Sequence, residues 1–156
     1  MQRKVEMVSR MEELMPLFTE ALANGQSVRF YPRGTSMLPM IRQDVDSVVL
    51  SPFNGKLKKY DLPLYQRDNG KYVLHRIIGA GNTYICMGDN QFVPELVRED
   101  QMIAVVTSFY RKEKEIPVTD ASYRLYCCLW HGSRSLRHFW RRGIRWIRRH
   151  LKIEVK

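Results

Sequence analysis

Apolar residues recur at helical spacing at the start of the chain. Met7, Met11, Leu14, Leu17 (or Phe18) and Leu22 predict an amphipathic helix over Glu6 to Asn24. Pro16 lies inside it and is expected to kink or split it, and Asn24-Gly25 supplies a stop. Beyond Gly25 the apolar runs shorten to strand length: Ser27 to Tyr31, Asp46 to Ser51, Leu62 to Arg67, Lys71 to Ile78, Thr83 to Met87 and Met102 to Tyr110. Turn-forming clusters separate them, and Asp68-Asn69-Gly70 between two such runs predicts a hairpin. Residues 113–121 read as a linker. From 122 to 151 the helical pattern returns, interrupted or bent near Gly132 and Gly143. The expected organisation is an N-terminal helix (1–24), a mainly β domain (25–112), and a linker with a basic amphipathic helical tail (113–156).

Composition sharpens this outline. A chain of 156 residues with 44% hydrophobic content can bury the core of one ordinary domain. The net charge is +10, but residues 122–156 hold ten Lys or Arg and one Glu, leaving residues 1–121 at +1. A near-neutral body gives no reason to expect nucleic acid on its own surface. The three cysteines form no C-x-x-C pair, so no common zinc or redox framework arises, and no metal or other cofactor is expected. Few cysteines suit a reducing compartment. The N-terminus lacks the apolar stretch of a secretory signal, and no window reaches the roughly 18–20 apolar residues of a membrane span. The expected location is cytoplasmic, with a peripheral membrane position open to the tail.

Three residues in the body could carry chemistry. Ser36 sits in Pro32-Arg33-Gly34-Thr35-Ser36-Met37-Leu38-Pro39, where a glycine and two prolines can hold a fixed loop after a strand. Read alone, it is as well an ordinary polar turn residue. His75 is the only histidine outside the basic tail. On a strand it shares a face with Lys71, Val73 and Ile77, and partial desolvation would keep it neutral and basic. A half-buried histidine with a satisfied hydrogen bond fits equally. Asp89, in Gly88-Asp89-Asn90, could orient an imidazole or simply form a turn.

In combination these segments resemble the signal peptidase I and LexA-like clan of serine peptidases. Gly34-Thr35-Ser36-Met37-Leu38-Pro39 is similar to the clan's nucleophile motif, Val73 to Ile78 to the segment carrying the base, and Gly88-Asp89-Asn90 to its late Gly-Asp-Asn motif. The likeness spans roughly residues 27–108. The base position holds His75 followed by Arg76, as in the archaeal, endoplasmic-reticulum and sporulating-bacterium variety. The resemblance implies a coiled β-sheet or partly open barrel. It also implies limited endoproteolysis of a peptide or precursor protein, with catalytic Ser36, His75 and Asp89. Gly34, Thr35 and Met37 would form the oxyanion and substrate loop. Three departures stand out. Gly34 replaces the usual serine two before the nucleophile. Pro94-Glu95 stands where a further aspartate often follows Gly-Asp-Asn. The membrane-spanning anchor normal in these enzymes is absent from the pattern. The rival reading is a non-catalytic peptide-binding module of the same fold.

The tail combines Leu125, Cys128, Leu129, Leu136, Phe139 and Trp140 with many arginines and three tryptophans. That composition suits an anionic membrane surface, while a helix packed on the body and a nucleic-acid-binding tail remain as alternatives. Cys127-Cys128 is a weak lipidation signal. The body is expected to fold without residues 122–156.

Overall fold

The computed structural model describes residues 11–140 and residue 144. The first helix, α1 (Met11–Ala23), places Met15, Phe18 and Leu22 on the core while Leu17 faces solvent. Pro16 lies within α1 without dividing it; the expected start at Glu6 falls outside the described residues. Gly25, at φ +74°, ends the helix, with Gln26 N–H bonded to Ala21 O at 2.9 Å.

Nine strands follow: β1 (Val28–Phe30), β2 (Ser47–Ser51), β3 (Pro63–Gln66), β4 (Tyr72–Leu74), β5 (Arg76–Ala80), β6 (Tyr84–Met87), β7 (Glu95–Val97), β8 (Met102–Arg111) and β9 (Lys114–Pro117). Among the described residues they form two antiparallel sheets and no closed barrel. The larger runs β1-β2-β8-β3-β4 with β9 also on β8; the smaller is β5-β6-β7. The ten-residue β8 holds the larger sheet together, since β2 lines one of its edges and β3 and β9 share the other. Its Met102, Ala104 and Val106 alternate into the core, the period a half-buried strand requires. The mainly β expectation therefore holds.

Three expectations change. The run Lys71 to Ile78 is not one strand. It leaves the larger sheet after Leu74 and enters the smaller at Arg76, so His75 stands at the crossing. Residues 113–121 are not a plain linker, because Lys112 and Glu113 both take positive φ (48° and 64°) and turn the chain back as β9. Two successive positive φ values make the tight turn that matches strand twist, here without the usual Asn or Gly. Nor is the start of the tail separable from the body. Helix α2 (Ala121–Gly132) is capped by Asp120, which accepts from the N–H groups of Ser122 and Tyr123, and buries Tyr123 and Cys127 in the main core. After a turn at Ser133, where the tail pattern is interrupted, residues 134–140 are helical again. The expected helix beyond residue 140 lies outside the described residues.

The main core joins α1, Met37, Met40 and Ile41 of the loop after Ser36, β2, β3, β8 and α2. A second cluster, Leu57, Tyr65, Ile77, Tyr84, Cys86, Val97 and Met102, fills the space between the sheets. Among the described residues no helix is long and apolar enough to cross a membrane.

Candidate active site

The loop after β1 is held from several sides. Gly34, at φ +95°, donates its N–H to Gln43 Oε1 at 2.8 Å. Met37 is buried in the core, which anchors the loop beneath Ser36, and Thr35 is exposed. The Gly88-Asp89-Asn90 turn then grips the loop: Asn90 N–H bonds Ser36 O at 2.8 Å, and Asn90 Nδ2 bonds Thr35 O at 3.2 Å. Gly88 is required by close approach. A Cβ there would lie 2.6 Å from Ser36 O, an impossible contact. The same Cβ would lie 3.1 Å from both His75 Nε2 and Ser36 Cβ. Ser36 Cβ and His75 Nε2 therefore both border the space a side chain at Gly88 would fill. No hydrogen bond joins Ser36 Oγ to His75 Nε2. Both residues line one cleft of about 260 Å³, with Arg33, Met37, Tyr72 and Gln91 among its walls.

The far side of the imidazole is tied down. His75 is 3% exposed, and its Nδ1 lies 2.8 Å from Glu95 Oε1 and 3.2 Å from the Tyr65 hydroxyl. Glu95 also accepts from Tyr65 (2.5 Å) and, bidentately, from Arg67 at 2.6 and 2.8 Å. Burial opposes its ionisation, but the hydrogen bonds from Arg67, Tyr65 and His75 hold its pKa at about 2. A carboxylate at Nδ1 fixes the proton there and leaves the Nε2 lone pair facing Ser36. Burial is the largest influence on His75 and lowers its pKa; the Glu95 hydrogen bond and charge offset part of that. Burial thus biases the imidazole toward its neutral form.

Asp89 takes the other of its two expected roles. Its carboxylate does not bond His75. It pairs bidentately with Arg76 (both 2.9 Å), and both side chains are fully buried. His131 Nε2 lies 3.1 Å from Oδ1, and Trp130 Nε1–H bonds the Asp89 carbonyl at 2.9 Å. Arg76 also donates to the Tyr60 carbonyl, the Tyr123 hydroxyl and Cys127 Sγ. Burial favours a protonated Asp89, yet the Arg76 charge and the His131 and Arg76 hydrogen bonds keep its pKa below the ordinary aspartate value. The expectation that Asp89 orients the imidazole is therefore corrected: this ion pair welds the Gly88-Asp89-Asn90 turn to β5 and α2.

The structure thus brings Ser36 and His75 together, with Gly34, Thr35 and Met37 beside them. Glu95, Tyr65 and Arg67 were not anticipated as partners of His75. The available signal was positional: Glu95 stands near the site where the resemblance expects a second acid, one methylene longer. Among the described residues no group of three or more His, Cys, Asp or Glu could hold a metal ion. A second hollow, of about 350 Å³, lies between Leu38, Phe92 and Trp130. No protein-family model, curated protein or solved structure matches the chain.

Proposed function

We propose that this protein is a serine endopeptidase of the signal peptidase and LexA-like type, cleaving a peptide or precursor protein. The observation that carries this is one constellation: Ser36 opposed to His75 Nε2 over Gly88, with Glu95 on Nδ1. Ser36 Oγ attacks the scissile carbonyl while His75 Nε2 takes its proton. The resulting oxyanion is held by backbone N–H groups of the Ser36 loop, since Gly34 offers no hydroxyl. The imidazolium returns the proton to the leaving amine, giving an acyl ester on Ser36. Water, deprotonated by the same imidazole, releases the second product. Glu95, ionised far below neutral pH, stabilises the transient imidazolium. The open Ser36–His75 gap is compatible with a base whose hydrogen bond tightens only around substrate.

The competing reading, a peptide-binding module of the same fold, draws on Gly34 and on the Gln43 side chain that occupies its N–H. A serine-directed phosphonate separates the two. The active protein should gain a covalent adduct mapped to Ser36 by peptide mass spectrometry, absent from His75→Ala. Labelling at Ser36 that persists unchanged in His75→Ala would remove the base from the mechanism.

A further inference from the structure

The tail helix carries two apolar faces, and the fold uses one. Tyr123 and Cys127 point into the core, Trp130 reaches the Asp89 carbonyl, and Arg134 donates to Phe92 O. Ser133 closes α2 by donating its N–H to Leu129 O (3.0 Å), and its carbonyl accepts from Arg137 N–H (3.1 Å) in a second helical segment, 134–140. At about 100° per residue, Leu125 and Leu129 face away from Tyr123 and Cys127 on α2, and Leu136, Phe139 and Trp140 face away from Arg134 on the segment after Ser133. They are 58–80% exposed. A helix that merely packs on its domain would carry polar residues there.

We propose that this outer face docks on a lipid surface rich in anionic headgroups. The charge of the segment selects that occupant. Residues 121–140 contain three arginines and no acidic residue, and residues 141–156 add seven Lys or Arg against one Glu. A second copy of the chain would bring the same positive excess to an apolar contact, which repulsion opposes. Nucleic acid would satisfy the arginines but would leave five large apolar side chains uncovered. An anionic bilayer satisfies both, burying the apolar sector at the headgroup boundary and neutralising the cations around it. The inner face meanwhile stays on the Asp89 turn, so docking needs no rearrangement of the body.

The test uses the full chain and vesicles of phosphatidylcholine, alone or mixed with phosphatidylglycerol. Co-sedimentation should occur with the mixed vesicles and weaken, without vanishing, as salt is raised. The Leu129→Gln, Leu136→Gln, Phe139→Gln and Trp140→Gln combination should lose roughly tenfold or more in partition at an unchanged melting temperature, since all four side chains are exposed. Should that variant melt early, brominated-lipid quenching of the unaltered protein, compared with Trp140→Phe, reads insertion directly. Ser36→Ala should bind as the unaltered protein does, so this result stands apart from the peptidase reading. Absence of binding, equal binding by the quadruple variant, a self-association that the variant abolishes, or a preference for RNA over vesicles would each overturn the proposal.

Discussion

Glu95 meets His75 through strand register. Ile77 pairs with Cys86, and Cys86 with Glu95, so the carboxylate lies two strands from Ile77 and within reach of the imidazole two residues before it. Register between distant strands is not written in any local pattern, which is why this residue was not legible beforehand. Ser36 and His75 were legible, because each lies in a short motif of distinctive composition. We expect Glu95→Gln to lower kcat by about 10²- to 10⁴-fold, as removal of an orienting carboxylate does, measured on any peptide the protein cleaves. The pH profile should report the same contact. His75 must be neutral to act, so activity should rise with pH through a limb below the ordinary histidine value of about 6.5. Glu95 pushes that pKa up, so its removal should move the limb to lower pH. An unmoved limb would mean that the carboxylate does not touch the titrating base.

The crossing at His75 and the turn at Gly88 set the site at the level of elements. Sequence pattern placed most strands, because alternation and turn residues are local. It joined β4 to β5 because Val73, His75 and Ile77 do alternate; the break comes from the two halves pairing with different sheets. It passed over β9 because Lys112 and Glu113 lack turn-forming side chains. Locally, Gly88-Asp89-Asn90 reads either as a turn or as the carrier of an orienting acid, and only its neighbours decide between the two. Gly88→Ala forces a methyl group against a backbone oxygen and should cost about 1–3 kcal/mol by overpacking, with the Ser36 loop displaced and activity lost out of proportion. Asp89→Asn leaves Arg76 buried without its countercharge, which should cost about 3–5 kcal/mol. The Asp89 pKa is depressed in the folded state, so this stability is present above the ordinary aspartate range and lost as pH falls through the lowered value. Urea midpoints from neutral to acidic pH would check both; a neutral Asp89→Asn variant of full stability would show that the pair is not what secures the turn.

Across the whole molecule, the charge asymmetry had suggested a body and a detachable tail. The asymmetry is real, but the boundary it suggested is not where packing ends. Tyr123 and Cys127 complete the main core, and Arg76, next to His75, donates from one nitrogen to both of them. Charge along a chain does not reveal which face of a basic helix turns inward. We therefore expect truncation after residue 120 to lower stability by several kcal/mol, about what two buried side chains contribute, and to abolish activity. Thermal melts of the shortened protein decide this. The central claim concerns Ser36 and His75, and cleavage tests it most directly: a diverse peptide mixture is incubated with the unaltered protein, with Ser36→Ala and with His75→Ala, each verified as folded by circular dichroism, and new amino termini are mapped by mass spectrometry. The account predicts cleavages made by the unaltered protein and missing from both variants; the same cleavages from folded Ser36→Ala, or none from the unaltered protein, would contradict it.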